Sequence, residues 1–215
     1  MKERMVFLIR HAEPSTDHQE STYLGWENPS LSSQGEQQAK AAALALKYRS
    51  LQAIYASDLI RAVETAALIA SFHHKPVVQM ASLREINLGN WGGKRLSEIK
   101  KTDPEAYTRR GREIDTFRPP KGESFADLAK RVLPAFYGIL EDTCENIAIV
   151  AHAGVNRVIL SHLLGMELKS LFEIQQCYTQ ISLIKQLGAV MQVEALNLLP
   201  ANEAGKEECQ LERSL

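Results

Sequence analysis

The sequence near the start of the chain reads Met5-Val-Phe-Leu-Ile-Arg-His11. Its first five residues form a continuous apolar run of strand formers, which is typical of a strand buried on both faces of a parallel sheet. The run ends directly before the arginine and the histidine. These two side chains are therefore predicted to lie at the carboxyl end of a central strand, the edge at which open α/β sheets bind ligands.

A second apolar run has the same organisation later in the chain. It extends from Ile147 to Ala151 and is followed directly by His152. Residues 53–56 and 76–80 predict two further strands. Because the carboxyl ends of parallel strands meet at one edge of a sheet, the histidines that directly follow the first two runs are expected to lie close together.

Helical patterns separate the predicted strands. Ser33 and Glu36 have the spacing of a capping box, and the helix formers after them extend to Tyr48. Ser57 or Asp58 is expected to cap the helix that follows the second strand. The later predicted elements are a helix from Ser124 to about Leu140 that Pro134 kinks or breaks, a helix from Val155 to Leu164, and an antiparallel hairpin of residues 180–185 and 190–196.

The alternation of strands and helices predicts an α/β fold, a three-layer α/β/α sandwich with a mostly parallel central sheet. A polar stretch at about residues 94–121 contains an arginine cluster and ends near two prolines, which predicts a small helical cap inserted outside the sheet. A single domain is expected over residues 1–200, followed by a flexible polar tail at 201–215.

The overall charge limits the classes of partner. The chain of 215 residues carries 25 basic and 26 acidic residues, for a formal net charge of -1. No general field attracts nucleic acid or an anionic membrane, so any anion site must be local. The apolar run from Met5 to Ile9 is too short for a signal-peptide core or a membrane span, and a cytoplasmic protein is expected. The cysteines and histidines have no metal-ligand spacing, and neither a metal nor a cofactor is expected.

Six sequence blocks contain most of the residues suited to phosphate chemistry. They are Leu8-Ile-Arg-His-Ala-Glu13, Asn28 to Gly35 with Gln38-Ala39, Ser57 to Ala66, Leu83 to Gly93, Gly122-Glu-Ser124, and Ala151 to Arg157. In this order they resemble the histidine phosphatase superfamily, also called phosphoglycerate mutase-like. Six ordered blocks are far more specific than an isolated Arg-His pair. The resemblance implies that family's fold and a metal-independent phosphomonoesterase that works through a phosphorylated histidine.

Six residues of these blocks are suited to phosphoryl transfer: five to attack on phosphorus and to binding of the transferring group, and a sixth, Glu85, to proton donation. The reaction needs a nucleophile, groups that bind the anion and a proton donor for the leaving oxygen. We assign the nucleophile to His11 and the phosphate-binding guanidinium groups to Arg10 and Arg61, the latter in the first turn of its predicted helix. His152 and the backbone N–H of Ala153, at a strand-to-helix junction, are expected to contact the transferring group.

Glu85 is the candidate proton donor. It lies in a glycine-rich loop and would protonate the departing alkoxide, then deprotonate the attacking water. Glu13 and Glu123 also lie near predicted site loops, and both remain alternatives for this role.

Several positions have uncertain roles at this stage. Ala12 replaces the glycine that usually follows the family's first histidine, which adds a methyl group where the backbone approaches phosphate. Asp17 lies at a position where the family often has an asparagine, and its carboxylate would repel a phosphate if it pointed inward. Structural or surface roles are expected for His18, His73, His74 and His162, and the cluster of Arg109, Arg110 and Arg112 is either a solvated face or a contact for a second substrate charge.

The expected partner is a small-molecule phosphate ester. The blocks at Gly122 and His152 most resemble the subgroup that acts on α-ribazole phosphate in cobalamin synthesis. Two other functions remain open, a cofactor-dependent phosphoglycerate mutase-type phosphotransferase and a phospho-ligand binding module that has lost turnover. The oligomeric state is also open, with a homodimer as one alternative.

Overall fold

A six-stranded sheet forms the centre of the protein, in a computed structural model that describes residues 3–16 and 22–200. Its strands are β1 (Glu3–Arg10), β2 (Ala53–Ala56), β3 (Val77–Gln79), β4 (Ile147–Ala151), β5 (Ile181–Leu187) and β6 (Val190–Leu198). They lie in the order β3-β2-β4-β1-β5-β6. The first four strands of this order are parallel, whereas β5 is antiparallel to both β1 and β6. The mostly parallel sheet and the hairpin at its edge are therefore confirmed.

The register of β1 and β4 brings the two histidines together. These strands pair in parallel with Arg10 opposite Ala151, so the residues that follow, His11 and His152, leave the sheet side by side. The N–H of His11 donates to the carbonyl of Ala151 at 2.9 Å, which extends the ladder by one residue. Because β5 is antiparallel to β1, the loop before β5 lies at this same edge.

Helices pack on both faces of the sheet, as predicted. Phe7 and Ile9 of β1 belong to an apolar core that includes the alanine-rich face of the helix after β2. Val6 and Leu8 belong to a second core, which the two helices flanking β4 complete. The helices are α1 (Ser33–Leu46), α2 (Ile60–Ser71), α3 (Leu96–Thr102), α4 (Pro104–Arg112), α5 (Phe125–Glu141) and α6 (Ala153–Leu163). The three-layer sandwich follows directly from this alternation of side chains.

The cap of α1 lies one residue earlier than the predicted capping box. Ser32, not Ser33, is the N-cap, and its hydroxyl accepts the N–H of Gly35 at 2.9 Å. The same hydroxyl donates to Oε1 of Glu13 at 2.5 Å. This tertiary bond favours one serine over its neighbour, a choice that sequence spacing cannot make.

The predicted caps of α2 are wrong. Neither Ser57 nor Asp58 caps the helix, because the N-cap residue is Leu59, whose side chain makes no cap bond. Asp58 instead pairs with Arg84 through two hydrogen bonds of 2.6 and 2.7 Å. A distant loop residue contacts the helix start, because Oδ1 of Asn28 accepts the N–H of Ile60 at 2.7 Å.

The later helices agree better with the prediction. Ser124 caps α5 and forms the predicted capping box with Asp127. Pro134 lies inside α5 without ending it, so of the two predicted alternatives the early break is wrong and the kink stays a prediction. α6 begins at Ala153, earlier than predicted, and His152 becomes its N-cap residue.

The segment at 94–121 contains α3 and α4, which is consistent with the predicted helical cap. Within it Arg109 forms an exposed ion pair with Glu113 at 3.1 Å, and Arg110 lies over the ring of Tyr23 at 5.1 Å. The single domain over 1–200 stays a prediction, and the tail at 201–215 lies outside the described residues. Among the helices that the structure describes, none combines the length and the apolar character that a membrane span requires.

Candidate active site

His11 leaves the end of β1 in a single tautomer. The side chain is buried, and Nδ1 lies 2.7 Å from the carbonyl oxygen of Ala12. Because a carbonyl oxygen only accepts, Nδ1 must carry the proton. Nε2 therefore presents its lone pair, which is the form that a nucleophilic imidazole requires.

Arg61 directs its guanidinium toward that lone pair. The side chain is almost fully buried in the first turn of α2, and Nε donates to Nε2 of His11 at 3.3 Å. Its other nitrogens donate to the carbonyl oxygens of Glu27 at 2.7 Å and Gly25 at 2.9 Å. Burial lowers the pKa of Arg61 to about 10, so the group keeps its positive charge at neutral pH. The two carbonyls fix the guanidinium next to the histidine.

His152 is a buried imidazole in contact with His11. The ring centroids lie 4.9 Å apart, and the side chain has no solvent exposure. Within the described residues, neither ring nitrogen of His152 has a hydrogen-bond partner. Buried polar atoms are rarely left without a partner because each costs about 1–3 kcal/mol. This arrangement is typical of a group whose partner is a bound ligand.

Burial and positive charge keep both imidazoles neutral. The pKa of His11 is lowered well below 6.5, first by burial and then by the charges of Arg61 and Arg10. The pKa of His152 is lowered well below 6.5, first by burial and then by the charges of Arg61, His11, Arg10 and Arg131. At pH 7 the site therefore holds two neutral imidazoles beside two cations, which favours an anionic ligand.

This electrostatic arrangement predicts a loss of stability in mild acid. Below the ordinary histidine pKa of 6.5 the unfolded chain binds protons that His11 and His152 cannot bind in the folded state. We expect their contribution to the free energy of unfolding to be constant above about pH 6.5, then to fall by up to about 1.4 kcal/mol per pH unit for each histidine. Urea unfolding between pH 5 and 8 would measure this slope.

A matched pair of variants tests the origin of that slope. Exchange of His152 for asparagine should reduce the slope of the free energy of unfolding against pH. His162 is exposed and contacts the hydroxyl of Tyr137 at 2.9 Å, and its exchange should leave that slope unchanged. An equal slope in the wild type and in the His152→Asn variant would contradict the assignment.

Arg10 is held by the loop that precedes β5. Nη1 donates to the carbonyl of Gln176, and the guanidinium lies over the ring of Tyr178 at 4.1 Å. The Tyr178 ring is also 5.7 Å from the ring of His11. The N–H of Thr179 donates to the carbonyl of Arg10 at 3.1 Å, so the loop is fixed against β1. The sequence analysis did not identify Tyr178. The predicted hairpin indicated its position, because a strand antiparallel to β1 begins at the edge of the sheet where the site lies.

Glu85 reaches the same edge from the loop after β3. Its Oε1 accepts the N–H of Ile86 at 2.8 Å, and Oε2 accepts the N–H of Gly154 at 3.1 Å. The second bond places the carboxyl group at the start of α6, directly after His152 and Ala153. A Cβ atom on residue 154 would lie 2.3 Å from Oε1, so the glycine leaves room for the carboxyl group.

The two alternative carboxylates are engaged elsewhere. Glu13 accepts the hydroxyl of Ser32 at the cap of α1. Glu123 accepts two hydrogen bonds from Arg131, at 3.1 and 2.8 Å, and the N–H of Asn87 at 2.9 Å. Of the three carboxylates, Glu85 alone has a hydrogen bond to the start of α6 among the contacts described above.

The residues after His11 in the sequence include the departures from the family pattern. Ala12 is fully buried, and its methyl group packs in a small apolar cluster with Leu31 and Ala39. The N–H of Ala12 donates to Oγ1 of Thr65 at 3.0 Å, a contact that sequence reasoning did not identify. Asp17 and His18 lie outside the described residues. Among residues 3–16 and 22–200, no group of three His, Cys, Asp or Glu residues could hold a metal ion.

Comparison with known protein families shows to which family the chain belongs. A sequence model described as the histidine phosphatase superfamily (branch 1) matches residues 6–199. The chain belongs to the histidine phosphatase superfamily. The resemblance seen in the six blocks is thereby confirmed, and so is the expectation of a superfamily enzyme.

Individual relatives within this superfamily differ in their activities. The chain is similar to phosphoserine phosphatase 1 of Hydrogenobacter thermophilus, with 32% identity over 76% of this chain and 77% of the relative. It is also similar to a 2,3-bisphosphoglycerate-dependent phosphoglycerate mutase of Methylobacterium radiotolerans, with 27% identity over 95% of this chain and 100% of the relative. The crystal structure of the alpha-ribazole phosphatase from Shigella flexneri superimposes with a TM-score of 0.84, at 26% identity, over 92% of this chain and 98% of that one.

Proposed function

We propose that the protein is a metal-independent phosphatase that hydrolyses a small-molecule phosphomonoester through a phosphohistidine on Nε2 of His11. The observation that carries this proposal is the pair of buried neutral imidazoles, one with its Nε2 lone pair directed at Arg61 and the other without a described hydrogen-bond partner. Two fixed guanidinium groups provide the charge that binds and stabilises a transferring phosphoryl group.

Phosphoenzyme formation uses the tautomer that the structure contains. Nε2 of His11 attacks phosphorus, the N–P bond forms, and the bond from phosphorus to the ester oxygen breaks. Arg10 and Arg61 neutralise the equatorial oxygens, and a ring N–H of His152 donates to one of them. The protonated carboxyl group of Glu85 gives its proton to the leaving alkoxide.

Hydrolysis returns the site to its starting state. Glu85, now ionised, removes a proton from water as the water attacks phosphorus, and the N–P bond breaks. Inorganic phosphate leaves, and His11 recovers the neutral form whose Nδ1–H donates to the carbonyl of Ala12. The backbone N–H of Ala153, in the first turn of α6, contributes to phosphate binding in both steps.

A panel of phosphate esters assayed with a chelator tests this function. We expect release of inorganic phosphate from an aryl phosphate and from at least one small ester, and the panel should include α-ribazole 5′-phosphate and phosphoserine because of the relatives named above. Loss of turnover on chelation, restored by a divalent metal, would contradict the proposal. No turnover on any ester would favour a non-catalytic phospho-ligand binding module.

A phosphotransferase is the second candidate, favoured by the similarity to a mutase over that relative's full length. A mutase would return the phosphoryl group to a sugar acid, whereas a phosphatase transfers it to water. Labelled phosphoenzyme mixed with excess 3-phosphoglycerate separates them, because a phosphatase releases labelled inorganic phosphate and a mutase yields labelled bisphosphoglycerate.

Loss of the Arg61 charge should change both the rate and its pH dependence. Exchange for alanine removes charge-assisted contacts and should lower kcat/KM by about 10- to 150-fold, equivalent to roughly 1.5–3 kcal/mol. Because the charge of Arg61 lowers the pKa of His11, its removal should also move the acidic limb of the kcat/KM profile to higher pH. A pH series with an aryl phosphate measures both effects.

Two further variants give the comparison for Arg61. Lysine keeps the charge and therefore the position of the acidic limb, yet it recovers the rate only in part because it lacks the planar fork of donors. Exchange of the exposed Arg49 for alanine should change neither quantity. Full recovery by lysine would remove the geometric role assigned to Arg61.

A further inference from the structure

A single guanidinium group on α5 holds the backbone around Glu85. Arg131 donates from Nη1 to the carbonyl oxygens of Ser82 and Arg84, both at 2.9 Å. Nη2 donates to the carbonyl oxygen of Glu85 itself at 3.3 Å. Three carbonyls within four consecutive residues therefore converge on one side chain, which no sequence motif indicated.

The same side chain also fixes the residues after Glu85. Arg131 forms a two-bond ion pair with Glu123, at 3.1 and 2.8 Å, with both side chains about one-fifth exposed. Glu123 in turn accepts the N–H of Asn87 at 2.9 Å, and its own N–H donates to the carbonyl of Asn87 at 2.7 Å. Hydrogen bonds from Arg131 in α5 and from Glu123 just before it thus hold the backbone on each side of Glu85.

The carboxyl group of Glu85 has little freedom to compensate for a shift of this backbone. Its two oxygens accept the N–H groups of Ile86 and Gly154, and its Oε1 fills the space that a side chain at residue 154 would need. A displacement of about 1 Å at a reacting group can lower a rate by roughly 100-fold. The position of the acid therefore depends on the guanidinium behind its backbone.

We propose that Arg131 is the positioning residue for the general acid, holding the Glu85 backbone so that the carboxyl group meets the leaving oxygen. This inference rests on the proposed function, because it assigns an acid role to Glu85. Arg131 has no described hydrogen bond to the Glu85 carboxyl oxygens, so its positioning effect on Glu85 acts through the backbone. Its charge also lowers the pKa of His152, an effect that lysine at position 131 would keep.

The experiment compares two substrates that need proton donation to different degrees. Arg131→Gln should lower kcat on an alkyl phosphate by about 10- to 100-fold and kcat on an aryl phosphate with an acidic leaving group by less than about 3-fold. KM should stay nearly constant for both. Arg131→Lys should recover part of the alkyl rate, since one ammonium cannot bond all the carbonyls and Glu123.

A double variant distinguishes positioning from general stabilisation. Because Arg131 acts through Glu85, adding Arg131→Gln to Glu85→Gln should lower the alkyl rate by no more than about 3-fold further. Arg118→Gln is the matched control, because Arg118 makes a comparable two-bond pair with Asp127 at the start of α5 and has no described contact with the Glu85 loop. It should leave the ratio of alkyl to aryl rates unchanged.

The outcomes separate this inference from the proposed function. The positioning role would be overturned if Arg131→Gln lowered kcat by the same factor on both substrates. It would also be overturned if the double variant lost the product of the two single-variant factors. Neither result would affect the proposed function, which depends on the wild-type and Glu85→Gln measurements. An inactive wild type, or normal turnover after loss of His11, would overturn the proposed function and the inference together. If Arg131→Gln does not give the circular dichroism spectrum of a folded protein, the ratio of alkyl to aryl rates is measured in Arg131→Lys instead. A ratio equal to that of the wild type would contradict the inference.

Discussion

Exchange of His11 for alanine is expected to abolish the phosphoenzyme and to lower turnover by at least about 10³-fold, because the variant lacks the only nucleophile of the proposed reaction. The neutral tautomer with Nδ1 bonded to the carbonyl of Ala12 directs Nε2 into the site, so no other nitrogen of this ring can form the adduct. Rapid quenching followed by intact-mass measurement should show one phosphoryl group on the wild type. The adduct should be labile in acid and stable in base.

The neighbouring imidazole provides a strict test of this assignment. The ring centroid of His152 lies 4.9 Å from that of His11, and its pKa is also lowered well below 6.5, so it is the group best placed to replace the nucleophile. If the His11→Ala variant were phosphorylated, the nucleophile would be His152, and the proposed mechanism would be wrong. His162→Ala, which removes an exposed histidine of α6, should keep both the adduct and the rate.

The sheet could be predicted from the sequence because its central strands are buried on both faces. β1 and β4 have continuous apolar runs, and their parallel register places the residues after each run together. Helix boundaries were predicted less well, since tertiary contacts choose among local alternatives. Ser32 caps α1 because Glu13 accepts its hydroxyl, and Asn28 contacts the start of α2 from a separate loop.

The residues to which we assign direct chemical roles have a clearer signal in the sequence than the residues to which we assign supporting roles. Arg10 ends β1, and His11 and His152 directly follow β1 and β4, where polar side chains contrast with apolar runs. Tyr178 and Arg131 lie in a connecting loop and inside an amphipathic helix, in sequence surroundings typical of ordinary surfaces. The roles that we assign to them depend on contacts with residues distant in sequence, which neither periodicity nor spacing reports.

Exchange of Glu85 for glutamine should impair phosphoenzyme formation in proportion to the basicity of the leaving group. Glutamine keeps the size of the side chain but cannot supply a proton to the leaving oxygen, and general acid catalysis contributes about 10²- to 10⁴-fold. We expect a loss of that order with an alkyl phosphate and a much smaller loss with an aryl phosphate, whose leaving group departs without full protonation. Single-turnover measurements isolate this step. Hydrolysis of the phosphoenzyme should slow for both substrates, since water also loses its base.

A steric variant tests the same carboxyl group without changing its chemistry. In Gly154→Ala the new Cβ atom would lie 2.3 Å from Oε1 of Glu85, so the carboxyl group must move away from the start of α6. The variant should therefore reproduce the selective loss on alkyl phosphate, while Gly138→Ala, where no heavy atom lies within 4 Å of the added methyl group, should not. Should Glu85→Gln slow the aryl and alkyl reactions by the same factor, Glu85 is not the acid. The role would then pass to Glu13 or Glu123, and the loss in Gly154→Ala would reflect the anion-binding start of α6 and no longer a displaced proton donor.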